Sequence, residues 1–269
     1  MPSSGGRHSV PVCGLLRWGI HDEPFDRWMH ALETRHLADL TFSEVSRALR
    51  ALSSAYVERR GRLGDGTALA GTGKRAAFAL FYGPLHYLLV REVVRALPGA
   101  ARLGGTLVDL GCGTGAAGAG WATAGTRTPT LLGIDRHPWA LAEAAHTYRA
   151  FGLAARTARN DVADAQLRSP CAVLAAFTMN ELAAVSRDAL LARLLARRSP
   201  GDRLLIVEPI ARFVTPWWGR WRDAVVSAGG RADEWRFVVR LPAIVAKLDR
   251  AAGLNHRELT ARSLWLSSG

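Results

Sequence analysis

The sequence predicts an α/β fold, a doubly wound and mostly parallel sheet preceded by an N-terminal helical cap, and three observations carry that expectation. The first is Thr106 to Gly115, an apolar strand that closes on Asp109 and runs into the turn Gly111-Cys112-Gly113-Thr114-Gly115. The second is the alternation, from Thr106 onward, of short apolar runs with helical stretches, the rhythm of parallel strands joined by crossover helices. The third is a helical periodicity over residues 23–100, ahead of the first strand.

The elements can be placed in order. Met1 to Val12 contains Ser, Gly and Pro without an apolar signal core, so residues 1–22 are expected to be a flexible N-terminus. Asp22-Glu23-Pro24 is a helix entrance with proline at an early helical position, leading into Phe25 to Leu37. Thr41 and Glu44 have capping-box spacing, and Val45, Leu49, Leu52 and Tyr56 follow at helical intervals up to Arg59-Arg60. The glycine-rich stretch Gly61 to Gly73 ends that helix. A third helix is expected over Lys74 to Leu97, with Phe78, Phe81, Leu85, Leu88 and Leu89 apolar and a kink near Gly83-Pro84. Parallel strands are expected at Thr106–Leu110, Thr130–Ile134, Ala154–Thr157, Ala172–Phe177 and Arg203–Val207. Trp235–Leu241 and Leu259–Leu266 would supply antiparallel edge strands. The expected organisation is a cap at 23–100 and a ligand-binding domain at 101–269.

At 269 residues and 49% hydrophobic content the chain can bury a full core. It has no apolar run of the roughly 18 to 20 residues a membrane span needs, so a cytoplasmic protein is expected, without membrane contact. Cys13, Cys112 and Cys171 are far apart in sequence, which indicates neither a disulfide framework nor a zinc or iron–sulfur site, and no metal is expected. The net charge of +12 suits a polyanionic partner such as RNA. Only Lys74 and Lys247 among the 35 basic residues are lysines, however, so part of the pattern is a compositional preference for arginine.

Three glycines without Cβ atoms allow the turn after the first strand to take positive φ and to approach a ligand. About twenty residues on, the run Leu131 to Ile134 ends on Asp135, where an acid on the next strand can accept both ribose hydroxyls of a bound adenosine. Gly113 to Gly118 also fits the Gly-x-Gly-x-x-Gly pattern of dinucleotide sites. Asp109 weighs against that reading, because a carboxylate two residues before the turn would repel a pyrophosphate and tolerate a cation.

The string Val108-Asp109-Leu110-Gly111-Cys112-Gly113-Thr114-Gly115 resembles motif I of class I S-adenosylmethionine-dependent methyltransferases. With Asp135, Asn160-Asp161-Val162 and Phe177-Thr178-Met179-Asn180-Glu181-Leu182, the resemblance extends over about residues 106 to 266 and implies their Rossmann-like sheet, their cofactor S-adenosylmethionine and methyl transfer. It implies that Asp135, with Arg136 beside it, holds the ribose and that Asp161 and Val162 border the adenine. Gly111, Gly113 and Gly115 would line the methionine portion, Asp109 would act through the loop backbone and the ligand's amino end, and Thr178 would flank the cofactor. A narrower resemblance, to the ribosomal small-subunit assembly methyltransferase-like family, rests on Asn180-Glu181-Leu182, Val207-Glu208-Pro209 and, more loosely, Tyr82-Gly83-Pro84. It implies an RNA or ribosomal small-subunit partner, although that family's cysteine-rich region has no counterpart after Pro209. A small-molecule acceptor beneath Tyr82 to Tyr87, and cofactor binding without catalysis, stay open as alternatives.

Asn180 and Glu181 are the candidate catalytic residues, at the carboxyl end of the fourth strand. Glu181 would orient or deprotonate a nucleophile and Asn180 would hold it by its amide. The competing reading has Glu181 capping the next helix or pairing with an arginine. His86 and His137 are read as structural, because an isolated histidine carries little signal. Arg212 to Trp221 interleaves Arg212 and Arg220 with Trp217, Trp218 and Trp221, a pattern that can stack bases and contact phosphates; helix packing is expected for two of the tryptophans, with the third left open.

Overall fold

The computed structural model describes residues 22–58, 69–197, 199–211 and 215–268. The expectations for residues 1–21, for Arg59-Arg60, for most of Gly61 to Gly73 and for Arg212 lie outside them, as does that for the Tyr56 side chain. The strands are β1 (Thr106–Leu110), β2 (Thr130–Asp135), β3 (Ala155–Arg159), β4 (Ala172–Ala176), β5 (Arg203–Glu208), β6 (Arg231–Val238) and β7 (Glu258–Ser267). They form one seven-stranded sheet in the order β3-β2-β1-β4-β5-β7-β6. The first five are parallel, and β7 inserts antiparallel between β5 and β6. β4 is buried at every position, as a central strand covered on both faces must be. β3, at the edge, exposes Arg159 and is protected by charge from further pairing. The strand order runs one way from β1 to β3 and the other way from β4, which opens a crevice at the carboxyl ends of β1 and β4, where this class of sheet binds ligands.

Some expected strand bounds shift. The third strand begins at Ala155 and runs to Arg159, and the sixth begins at Arg231 and ends at Val238, short of Leu241. The fourth ends at Ala176, because Phe177 turns out of the sheet with φ +59°.

The cap comprises α1 (Glu23–His36), α2 (Phe42–Glu58), α3 (Thr72–Ala77), a π-helical turn at Phe78–Tyr82 and α4 (Gly83–Ala96). Asp22 caps α1 by accepting from the Phe25 N–H, and Thr41 and Glu44 form the expected reciprocal capping box of α2. The kink expected at Gly83-Pro84 is instead a π turn: the Gly83 N–H reaches back five residues to the Phe78 carbonyl, and Pro84, which has no N–H to donate, enters the first turn of α4. The sheet carries α5 (Ala116–Ala122), α6 (Pro138–Ala150), α7 (Ala184–Leu195), α8 (Trp218–Ser227) and α9 (Ala243–Ala251). No helix among the described residues is long and apolar enough to cross a membrane.

One apolar core joins cap and sheet, with Leu32, Leu49 and Leu88 in the same cluster as Leu107, Leu174 and Trp265. Trp28 is almost fully buried against Phe25, Tyr87 and Phe151, and its Nε1–H donates to Thr147 of α6 at 3.2 Å. Arg35 and His36, at the end of α1, meet the buried Glu143 of α6, with the guanidinium bidentate at 3.0 and 2.8 Å. Burial alone would raise the Glu143 pKa, but the hydrogen bonds and charges of His36 and Arg35 outweigh it and hold the carboxyl below its ordinary value.

Glu143→Ala is expected to destabilise the fold by about 2 kcal/mol, less than a fully enclosed pair would lose because Arg35 can turn to water. Since the folded pKa is depressed, the stabilisation is complete above the ordinary glutamate value of 4.5 and disappears as pH falls through the lowered one. Denaturant unfolding of both proteins between pH 7 and pH 3 checks this, as the difference should shrink with acid.

Candidate active site at the carboxyl edge of the sheet

The turn after β1 is pinned to the end of β2 by its backbone. Gly111 and Cys112 N–H both donate to the Ile134 carbonyl, at 2.8 and 3.0 Å, and Gly113 N–H donates to the Asp135 carboxylate at 3.0 Å. The second Asp135 oxygen accepts from His137 N–H at 2.8 Å, so the acid is held from two sides while each oxygen keeps a lone pair for a ligand. The three glycines, expected to line a ligand together, have different tasks. At Gly113, φ is +52° and an added Cβ would meet only the Phe78 ring, at 3.7 Å, which leaves this peptide open to a ligand. At Gly115, φ is +74° and a Cβ would lie 2.7 Å from Tyr148 and 2.9 Å from the Ala144 backbone, so this glycine lets α6 pack on the turn. Gly111 is likewise closed off by Thr178, whose Oγ1 would stand 2.5 Å from its Cβ.

Asp109 is 1% exposed and accepts from Gly118 N–H of α5 at 3.1 Å. Burial pushes its pKa up to about 7, against the pull of that N–H and with help from the charge of Asp135. It therefore lies beneath α5 and anchors the helix that follows the turn. Thr178 is buried as well, and its hydroxyl donates to the Leu110 carbonyl at 3.0 Å, tying the loop after β4 to the end of β1.

Asn180 and Glu181 lie on the 3₁₀ turn Met179–Glu181 that follows β4. The Asn180 amide is engaged at both ends, donating to Glu208 at 3.0 Å and accepting from Trp217 Nε1–H at 2.9 Å. Glu208 also accepts from Met179 N–H at 3.0 Å. It is fully buried, opposite Arg262 of β7, and burial raises its pKa to about 8. The sequence alone marks this residue only as part of the Val207-Glu208-Pro209 string. The visible signal was an acid closing a strand immediately before Pro209, in a run that is otherwise apolar.

Glu181 does not cap the next helix, since α7 starts at Ala184 with no side-chain cap, and among the described residues no hydrogen bond reaches its carboxylate. Its surface is exposed to solvent, yet protein surrounds it closely enough to push its pKa up to about 7, chiefly by burial and then by the charge of Asp135, with Arg136 opposing. Accessible and crowded at once is the condition of a side chain in a concave site. Solvent still screens it there, which moderates the upward push.

Arg136 is exposed and pairs with Asp161 at 3.6 Å. Asp161 caps the turn Val162–Asp164 through the Ala163 N–H at 2.8 Å, and Val162 is buried below it. His137 caps α6, accepting from Trp139 N–H at 3.2 Å. The tryptophan cluster is packing throughout: Trp217, Trp218 and Trp221 are 5%, 7% and 0% exposed, so the one left open for base stacking is buried as well. Arg220 donates through one nitrogen, Nη2, to both oxygens of Asp188 at 2.6 Å, and Arg222 pairs with Asp223.

No protein-family model matches the chain, and no curated protein matches it significantly. Solved structures do. An O-methyltransferase family protein from Burkholderia thailandensis superposes with a TM-score of 0.52 at 16% identity, covering 91% of this chain and 72% of that one. Mitomycin 7-O-methyltransferase superposes with a TM-score of 0.50 at 16% identity, covering 91% of this chain and 73% of its own. Magnesium protoporphyrin IX methyltransferase from Synechocystis, solved with S-adenosylmethionine bound, gives 0.44 at 17% identity, covering 84% and 98%. The first two superpositions, with the seven-stranded sheet order, show the Rossmann-like fold of methyltransferases.

The different tasks of the glycines can be separated by substitution. Gly113→Ala should cost about 1 kcal/mol, the scale of one strained φ. Gly115→Ala should cost at least about 3 kcal/mol, because its Cβ meets backbone as well as a ring. Thermal unfolding of the two variants measures the difference.

Proposed function

We propose that the chain transfers a methyl group from S-adenosylmethionine bound in the crevice between β1 and β4. The observation that carries this reading is the pairing of an open glycine peptide with two carboxyls at the same edge: Gly113, with Asp135 fixed beneath it and Glu181 close enough to feel the charge of Asp135. A cationic ligand suits those acids, whereas the pyrophosphate of a dinucleotide would be repelled. When bound, S-adenosylmethionine supplies an electrophilic methyl group on a positive sulfur. Asp135 would take the ribose hydroxyls with its remaining lone pairs, Gly113 and the neighbouring turn would border the methionine portion, and Val162 with the Arg136–Asp161 pair would border the adenine. Glu181 would face the positive end of the ligand. Asn180, spent on Glu208 and Trp217, would hold Glu181 in place and not the nucleophile itself.

An RNA or ribosomal acceptor in the cytoplasm has the net charge of +12 and the Asn180-Glu181-Leu182 and Val207-Glu208-Pro209 strings in its favour. The burial of the three tryptophans and the ion pairing of Arg220 and Arg222 take away the stacking surface that reading relied on.

Calorimetric titration tests the cofactor site. Asp135→Ala should weaken S-adenosylmethionine binding by about 1.5 to 3 kcal/mol in a folded protein, the scale of hydrogen bonds to a charged group. Unchanged affinity would remove Asp135 from the ribose site. For the wild-type protein, affinity should rise with pH as Glu181 ionises through about 7, because the ionised form attracts the cation. Glu181→Gln should flatten that dependence.

A further inference from the structure

Four aromatic side chains gather beside the open glycine. Phe78, Tyr82 and His86 are spaced by four along the helix that contains the π turn, and Phe177 meets His86 from the end of β4. His86 and Phe177 are stacked, with ring centroids 4.2 Å apart at 17°. Phe78 stands edge-on to His86 at 6.2 Å, and Tyr82 lies at 5.7 Å from Phe78 and 6.2 Å from His86. All four rings are half-buried, whereas Ala79, Leu80 and Phe81 between them are sealed in the core. Phe78 is also the side chain that faces Gly113. The rings are therefore one apolar wall, continuous with the proposed cofactor turn and reachable from solvent.

Two features of this wall carry a conformational cost. Phe177 takes a left-handed φ of +59°, rare for an aromatic residue, and the π turn interrupts an otherwise regular helix. Such features cluster where a side chain must be presented to a ligand. Among the described residues nothing hydrogen-bonds to the His86 ring nitrogens, and burial takes its pKa down to about 4, so the imidazole is neutral at physiological pH with a free acceptor. Tyr82, by contrast, has its hydroxyl 3.2 Å from Ser53.

We propose that the methyl acceptor is a neutral, planar aromatic small molecule bearing a hydroxyl group, which lies on the wall of Phe78, Tyr82, His86 and Phe177 with its O–H directed at the His86 ring. This rests on the methyl-transfer reading and adds to it the acceptor and a catalytic residue. In the reaction the oxygen's lone pair forms the new bond to the methyl carbon, that carbon's bond to sulfur breaks and leaves its pair on sulfur, and the hydroxyl proton passes to His86. The wall holds no formal charge for a polyanion to meet, and its π-faces suit a ring.

The test is calorimetric titration of 2-naphthol, naphthalene and decahydro-2-naphthol, with and without saturating S-adenosylhomocysteine, followed by mass spectrometry of products made from methyl-deuterated S-adenosylmethionine. 2-Naphthol should bind at least tenfold more tightly than its saturated, non-planar counterpart. Phe78→Ala and Phe177→Gly should each remove most of that preference; the glycine variant relieves the backbone strain and guards against misfolding. His86→Phe should keep naphthalene affinity, lose the preference for 2-naphthol over naphthalene, and lower methyl ether formation at least a hundredfold. Equal affinity for the planar and saturated alcohols, or binding indifferent to all three substitutions, overturns the aromatic wall. So does methylation of rRNA fragments with none of 2-naphthol, which leaves methyl transfer standing. Absence of S-adenosylhomocysteine binding to the intact protein removes methyl transfer and this proposal with it.

Discussion

The structure depends on how closely the chain after β1 approaches the end of β2. Three consecutive N–H groups of the turn are satisfied by Ile134 and Asp135 at a place where the backbone has left the sheet ladder. That approach fixes the neighbours in turn. α5 starts from Gly115, and Asp109 holds it by the Gly118 N–H; α6 lies against Gly115 through Tyr148 and Ala144; the loop after β4 is drawn in by Thr178. Each contact needs the preceding one to be in register, so the crevice at the switch between β1 and β4 is shaped by backbone packing before any ligand-facing side chain is considered.

The cap is built onto that crevice and not merely beside it. Trp28 with Thr147, and Arg35 and His36 with Glu143, fasten α1 to α6, the helix that also presses on the turn. The π turn belongs to the same arrangement. It lets the proline enter α4 without breaking the helix, while Ala79, Leu80 and Phe81 stay buried and Phe78 faces Gly113 of the glycine turn. A π turn and a left-handed phenylalanine are unfavourable locally, and they meet at one place. The dense packing behind them is what can hold them there.

Much of this fold was legible from local chemistry. The strand, glycine turn and acid of β1 and β2, the capping box of Thr41 and Glu44, and the alternation of parallel strands all arise from residues near one another in sequence, and the structure has each of them. What escaped was set by distant partners. Nothing local says that Gly115 serves α6 while Gly113 faces open space, because the difference is made by Tyr148, 33 residues further on. Asn180 reads as a free amide until Glu208 and Trp217 arrive from β5 and the start of α8. The arginine and tryptophan segment looks like a nucleic-acid surface because its composition does not reveal which face packs inward. The π turn looks like a kink in the sequence, since proline signals a disturbed helix without saying how the backbone accommodates it. The burial of Asp109 under α5 is likewise invisible locally; the acids that reach the cleft surface are Asp135 and Glu181.

The site's charge runs against that of the chain. In a protein with 35 basic and 23 acidic residues, four carboxyls converge at the same sheet edge, Asp109 on β1, Asp135 at the end of β2, Glu181 after β4 and Glu208 at the end of β5. They feel one another: the charge of Asp135 raises the pKa of Asp109 and Glu181, and that of Glu181 raises the pKa of Glu208. The two inner acids are answered by protein, Asp109 by a helix N–H and Glu208 by Met179, Asn180 and Arg262. The two outer ones keep unused capacity toward the crevice. A cation placed between them would favour the ionised form of each and relieve repulsion among all four, whereas an anion would add to it. The local field at the carboxyl edge is thus opposite in sign to the net charge of +12, and it is this field that the proposed cofactor would meet.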